Sequence, residues 1–143
     1  MKIQLNLLQT CKEIIRLCEH KCLPLSANTE SKVFFLKMIG DYHRYSAESF
    51  HSSDHKSVEY LKFVAMTKQY YKKGLEKSFS DLHPCNPLRL GLTLNYSIFL
   101  KEFETNSWLA IVLAQQALQA AQDKIDDSGS QTLDCKRIME QMS

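Results

Sequence analysis

Apolar residues recur along this chain at the spacing of an α-helix. In a first segment, about residues 3 to 22, Leu7, Cys11, Ile14, Ile15, Leu17, Cys18 and Cys22 follow a period of about 3.6 residues, and the predicted helix ends before Pro24. Asn28 or Thr29 can then cap a long helix to about Phe50, with Glu30 early in it, where the helix dipole favours negative charge. Gly40 interrupts that helix without stopping it. The polar loop His51-Ser52-Ser53-Asp54 is expected to supply the next N-cap, for a helix from about His55 to Phe79. That helix carries Val58, Leu61, Val64 and Ala65 before a Tyr70-Tyr71 pair, with Gly74 a soft point near its end.

The clearest boundary is the run Asp81-Leu82-His83-Pro84-Cys85-Asn86-Pro87. Asn86 is a good N-cap, and Pro87 suits the first helical position because its missing N–H would be unpaired there anyway. The helix it opens should reach about Glu104. Another begins near Asn106 or Ser107 and is apolar through Trp108, Ile111, Val112, Ala114, Ala117, Leu118, Ala121 and Ile125. A turn over residues 126–130 and a short helix from about Thr132 to Met142 close the chain. The expectation is an all-α fold, an antiparallel helical bundle or array with short connections, in one domain over residues 1–143.

Composition strengthens this picture. Four Gly and three Pro in 143 residues leave long stretches free of both, unlike the punctuation of a turn-rich β-fold. Lys and Arg number 18 against 16 Asp and Glu, so the formal charge of +2 predicts neither a nucleic-acid stripe nor a charged tail. No apolar stretch approaches the roughly 18 residues of a membrane span, and Met1-Lys2-Ile3-Gln4-Leu5-Asn6 is too polar for a signal peptide, which together read as a cytoplasmic protein. The five cysteines, Cys11, Cys18, Cys22, Cys85 and Cys135, are an odd number that fits reduced thiols better than a disulfide framework.

Two stripes carry candidate chemistry. Lys37, Asp41, Arg44, Tyr45 and Glu48 fall three and four apart and so share a helix face. Arg44 can offer a phosphate two parallel N–H bonds and Tyr45 a hydroxyl, while Asp41 orients the guanidinium and Lys37 reaches neighbouring oxygens. On pattern alone the same face reads first as a solvated set of ion pairs, since surface pairs are common and weak. After Pro87, the residues Leu88, Gly91, Leu94, Asn95, Ile98 and Glu102 form an apolar stripe with one amide able to hold a peptide backbone, or else an ordinary core with a satisfied Asn. Cys11, Cys18, His20 and Cys22 do not make a zinc site, because residues 18 and 20 face opposite ways and no second pair closes a tetrahedron. His51, Asp54 and His55 read as a polar cap region. With no phosphate loop, nucleophile elbow or HExxH pattern, no catalytic residue, metal or cofactor is assigned and the chain is not expected to be an enzyme.

Two longer motifs go further. The segment Glu30-Ser31-Lys32-Val33-Phe34-Phe35-Leu36-Lys37-Met38-Ile39-Gly40-Asp41-Tyr42-His43-Arg44-Tyr45 resembles the fifth-helix signature of the 14-3-3 family. Asn86-Pro87-Leu88-Arg89-Leu90-Gly91-Leu92-Thr93-Leu94-Asn95-Tyr96-Ser97-Ile98-Phe99 resembles its seventh-helix signature, and Arg137-Ile138-Met139 the start of its ninth helix. The resemblance implies a phosphoserine- or phosphothreonine-dependent binding adaptor in signalling. Arg44 and Tyr45 would hold the phosphate, and Lys37, Asp41, Gly91, Leu94, Asn95, Ile98 and Glu102 would line a peptide groove. Partners would be phosphorylated client proteins or peptides, with homo- or hetero-oligomers of similar chains, and neither nucleic acid nor membrane.

In the resembled family, three helices precede the matching region; they supply most of the dimer contact and a Lys and an Arg that help hold the phosphate. The expectation is therefore a half-built pocket, with a helical interaction module lacking phosphate dependence as the alternative. The face carrying Leu7, Cys11, Ile14, Ile15 and Cys18 is expected to lack its cover. His43 and Ile39 stand where that family more often has an aromatic residue and a Lys.

Overall fold

The computed structural model describes residues 2–125 together with residues 137, 140 and 141. Five α-helices follow in order: α1 (Lys2–Leu17), α2 (Thr29–Glu48), α3 (Val58–Asp81), α4 (Pro87–Glu102) and α5 (Ser107–Ile125). A π-helical turn, Cys18–Cys22, extends α1, and a 3-10 turn, Ser52–Asp54, precedes α3. Among the described residues there is no strand, so the fold is all-α as the periodicity implies. The predicted turn over residues 126–130 and most of the helix from Thr132 to Met142 lie outside the described residues, as does Cys135.

Local chemistry explains where the helices begin. The Asn28 side chain accepts from the backbone N–H of Ser31 at 2.8 Å, which satisfies one of the orphan donors at the start of α2. Asn86 does the same for Leu88 at 2.9 Å, with Pro87 at the first helical position. The Asn106 side chain accepts from Leu109 N–H at 3.1 Å ahead of α5. The third helix differs from expectation. Its cap is Ser57, whose hydroxyl accepts from Tyr60 N–H at 3.2 Å, because the loop at 51–54 spends its own hydrogen bonds on the 3-10 turn. Helix α4 ends two residues early: the chain turns through Thr105, whose φ of 50° is a left-handed conformation that no helix can continue.

The chain divides into two compact units, Met1–Gly74 and Leu75–Ser143, with the boundary inside α3. In the first, Ile15 and Cys18 of the α1 arm are buried against Ile39, with Phe35, Met38, Tyr42 and Tyr70 packed around them. This corrects the expectation of an uncovered face. Cys11, Ile15 and Cys18 are buried within the chain, Ile14 is half-buried, and of that face only Leu7 is exposed, because α2 lies along α1. Helix α3 runs back beside α2: Tyr60 meets Phe50 with ring centroids 5.9 Å apart, and further along Tyr70 stacks on His43 at 5.8 Å.

In the second unit, Cys85 and Leu90 pack on Ala117 and Ala121, so the start of α4 faces the end of α5 and the two helices are antiparallel. The small alanines permit close approach, and the Cys85 thiol donates to the Ala121 carbonyl at 3.1 Å. Arg89 lies with its guanidinium 4.6 Å from the Phe79 ring centroid and donates to the Leu82 carbonyl at 2.9 Å. Trp108 and Ile111, read as part of the apolar pattern of α5, are exposed.

His43 is buried in the first unit without a polar partner. It is 8% exposed, and neither ring nitrogen has a hydrogen-bond partner. Burial lowers its pKa from the ordinary 6.5, opposed by Glu19 and reinforced by Lys62. The folded chain therefore keeps His43 neutral to lower pH than the unfolded chain does. As pH falls below about 6.5 the unfolded state takes up the proton first, so stability should decline from there until the folded value is passed. His43→Phe keeps the ring stacking and removes both orphan nitrogens. It should raise stability by about 1–3 kcal/mol and flatten that acid limb in urea unfolding followed from pH 8 to 5; an unchanged limb would contradict this account.

Candidate functional site

The polar face of α2 is a connected set of charges. Lys37 donates to Asp41 at 2.8 Å, Arg44 Nη2 lies 3.7 Å from Asp41, and Arg44 Nη1 donates to Glu48 at 3.2 Å. The i, i+3 and i, i+4 spacings read from the sequence therefore do place Lys37, Asp41, Arg44 and Glu48 in one line. They differ greatly in environment. Asp41 is 7% exposed, the Arg44 side chain 12% and the Glu48 side chain 39%.

The residue that sequence reasoning missed is Tyr71. Its fully buried hydroxyl donates to Asp41 and accepts from Arg44 Nε at 3.1 Å, so a helix-surface ion pair becomes a network anchored on α3. Burial, then the neighbouring Asp41, pushes the Tyr71 phenol far above its ordinary 10, so the proton stays and the donor role with it. Burial alone would lower the Arg44 pKa, but Tyr71, Glu48 and Asp41 outweigh it and the net shift is upward. Arg44 is a fixed cation. The Tyr70-Tyr71 pair was visible in the sequence, but only the pairing of Tyr71 with Gly40 across the two helices distinguishes it from its neighbour.

Tyr45 stands on the solvent side. It is 37% exposed, its ring lies 5.1 Å from the Arg44 guanidinium carbon, and it meets Tyr42 edge to face at 5.3 Å. Burial of its inner edge and the charge of Asp41 raise its pKa, which keeps the hydroxyl a donor at neutral pH. Chemically, the arrangement offers a rigid guanidinium beside an exposed phenol. Tyr71 and Asp41 hold that guanidinium from the protein side, and Glu48 is its exchangeable partner from the solvent side.

In the second unit, α4 separates into two faces. Leu90, Leu92, Thr93, Tyr96, Ser97, Phe99 and Leu100 are buried. Leu88, Gly91, Leu94, Asn95 and Ile98 are all half-buried, and Glu102 is exposed. The stripe picked out by spacing is thus partly open, with Leu88, Leu94 and Ile98 neither fully buried nor fully exposed. Ile98 also lines an open apolar hollow with Ala110, Ile111, Ala114 and Leu118. Among the described residues no group of three or more His, Cys, Asp or Glu is placed to hold a metal. No described helix is long and apolar enough to cross a membrane.

Comparison with known proteins agrees with the helical motifs. The family model described as "14-3-3 protein" matches residues 1–143. The chain is similar to 14-3-3-like protein GF14 upsilon of Arabidopsis thaliana, 39% identical over 131 residues, which are 92% of this chain and 47% of that protein. It is similar also to 14-3-3-like protein A of Glycine max, 38% identical over 92% of this chain and 49% of that protein. A third relative, 14-3-3-like protein GF14-D of Oryza sativa subsp. japonica, is 39% identical over 92% of this chain and 48% of its own length. The chain spans about half the length of the curated relatives it matches.

The network depends on Gly40. A Cβ at that position would stand 2.5 and 2.6 Å from Tyr71 ring carbons, closer than packed atoms approach. Alanine is the better helix former by about 1 kcal/mol, yet Gly40→Ala should destabilise the chain by about 1–3 kcal/mol because the Tyr71 ring must move. Tyr71→Phe keeps the ring and should cost a similar 1–3 kcal/mol by leaving Asp41 and the Arg44 Nε short of a partner. Urea unfolding of both variants is the check, and a stabilised Gly40→Ala would refute the close approach.

Proposed function

We propose, from the premise that this chain belongs to the 14-3-3 family, that it acts as a phosphoserine- or phosphothreonine-dependent binding adaptor. The observation that carries the reading is Arg44: a guanidinium held by Tyr71 and Asp41, beside the exposed Tyr45 ring, with Glu48 its partner on the solvent side. Members of the family are non-enzymatic adaptors, and the chain is one of them in fold.

In this mechanism the phosphate takes the place of the Glu48 carboxylate on Arg44. A phosphoserine brings about −1.5 to −2 charges at neutral pH, and two parallel N–H bonds from a guanidinium suit its oxygens. Tyr45 adds a donor. Lys37 contributes positive potential, although Asp41 already neutralises most of it at 2.8 Å. In the second unit, Asn95 is proposed to hold a peptide backbone through its amide, with Leu94, Gly91 and Ile98 giving apolar contact and Glu102 closing the stripe. The proposed partners are phosphorylated client proteins or peptides, together with homo- or hetero-oligomers of similar chains. A cytoplasmic setting is supported by the thiols of Cys11, Cys18, Cys22 and Cys85, all of them free.

One observation favours the second reading, a helical interaction module without phosphate dependence. The face carries Lys37 and Arg44 against Asp41 and Glu48, so its net charge is zero. Titration with a labelled phosphopeptide and its unphosphorylated twin separates the two. If the adaptor reading holds, the phosphorylated peptide binds more tightly, and the preference weakens as salt rises. Arg44→Ala should abolish it, and Arg44→Lys should restore little, since an ammonium loses the two-pronged geometry. Asn95→Ala should weaken both peptides together. Glu48→Gln should strengthen only the phosphorylated one, by a few-fold, because the exposed pair it removes is worth about 0.2–1 kcal/mol. Equal binding of the two peptides by the parent chain would leave the interaction-module reading in place.

A further inference from the structure

The π turn that ends the α1 arm brings sulfur atoms together from two helices. The Cys18 thiol lies 3.4 Å from the Met38 thioether, and its buried position is 2% exposed. Cys22, four residues further on the same π turn and half-buried, stands about one helical turn along from Cys18. The turn itself is well defined: Leu23 N–H donates to the Cys18 carbonyl at 2.8 Å, the five-residue step of a π-helix, and the Ser26 hydroxyl donates to the Cys22 carbonyl at 2.8 Å. Single π turns inside or at the end of α-helices occur frequently at functional sites.

We propose that Cys18, Cys22 and Met38 form a binding site for a soft monovalent metal ion of the copper(I) class. The donor set decides the class of ion. Zinc in a closed site takes four thiolate, imidazole or carboxylate ligands, and no group of three such residues is assembled among the described residues. His20, within the same turn, lines a surface hollow with Glu13, Arg16, Leu17 and Lys21. What is assembled is two thiols and a thioether, the soft ligands that select copper(I). Two metal–sulfur bonds of about 2.3 Å, the length known for zinc thiolates, span sulfurs up to about 4.6 Å apart. The Cys18 and Met38 sulfurs, at 3.4 Å, already stand within that span.

The surroundings fit as well. Ile14, Ile15, Leu23, Phe35 and Ile39 make an apolar wall around the sulfurs, while Cys22 is the half-open side through which an ion could enter. A thiol binds a metal ion as its thiolate, so the ion must displace a proton. On binding, two S–H bonds break and two metal–thiolate bonds form, with both protons released to solvent. The thioether adds its lone pair without releasing a proton. The metal's oxidation state does not change.

The test is an anaerobic titration of the reduced full chain with copper(I) against a chromophoric copper(I) chelator. One equivalent should be withdrawn from the chelator, with thiolate-to-copper absorption in the ultraviolet. Cys18→Ala could unfold so buried a position, so the decisive variants are the half-buried ones: Cys22→Ser and the nearly volume-conserving Met38→Leu. Each should weaken binding by at least the about 10–100-fold that even a lost second-shell partner costs. A chain carrying Cys11→Ala, Cys85→Ala and Cys135→Ala together should keep the parent affinity, provided its circular dichroism matches the parent. Parent-like affinity in Cys22→Ser or Met38→Leu, loss of binding in the folded triple variant, or no copper withdrawn would each overturn the proposal. Peptide binding plays no part in these readouts, so their outcome is independent of the adaptor reading.

Discussion

A carboxylate with 7% of its surface exposed is costly to bury unless it is hydrogen-bonded and paired, and Asp41 accepts from Lys37 and from the Tyr71 hydroxyl and lies in an ion pair with the Arg44 guanidinium. Much of the first unit can be understood from that requirement. It ties α2 to α3 through Tyr71, and Tyr71 reaches Asp41 only because Gly40 leaves no Cβ in the way of its ring. A glycine inside a helix, which by propensity alone weakens it, is here the condition for the tightest polar contact between the two helices. The same contact removes the rotamer freedom of Arg44, so the cation that faces solvent is already in place before anything binds.

How much of this the sequence disclosed depended on whether the determining interaction was local. Asn28 and Asn86 were identifiable as caps because a cap is settled within three residues, and the long helices followed from the period of apolar positions. Ser57 was not, since the preceding His51–Asp54 run offers the same chemistry and only the formation of the 3-10 turn removes it from competition. The line Lys37, Asp41, Arg44, Glu48 was legible as a helix face, but not its gradient from buried Asp41 to exposed Glu48, which α3 imposes. Tyr71 and Met38 could not be found by any spacing rule. Each acts across a gap of 20 or more residues, Cys18 with Met38 and Asp41 with Tyr71, and such pairs exist only once the helices have packed.

Helix α4 shows the opposite case, in which a correct stripe had an ambiguous meaning. It is apolar on nearly every side, so periodicity alone could not say which residues were core. The buried residues Leu90, Leu92, Tyr96, Phe99 and Leu100 leave Leu88, Gly91, Leu94, Asn95 and Ile98 as the partly open side. An amide among leucines and isoleucine on an open side is a different object from an amide in a core. On a partly open side the amide keeps part of its surface accessible.

Charge balance then constrains how selectivity could arise on the α2 face. An anion arriving there does not meet a positive field, because two carboxylates offset the two cations. What it gains is the difference between its own bonds to Arg44 and those Glu48 already makes, so the discrimination is a difference of affinities rather than a sum of attractions. A carboxylate and a phosphate differ little in reach but much in charge and in the number of acceptor oxygens. The buried partners of Arg44 matter here because they do not compete: Tyr71 and Asp41 hold the guanidinium from behind, whichever anion sits in front. A face that is neutral overall can therefore still prefer phosphate, provided its one exchangeable carboxylate is the most exposed member of the network, and Glu48 is.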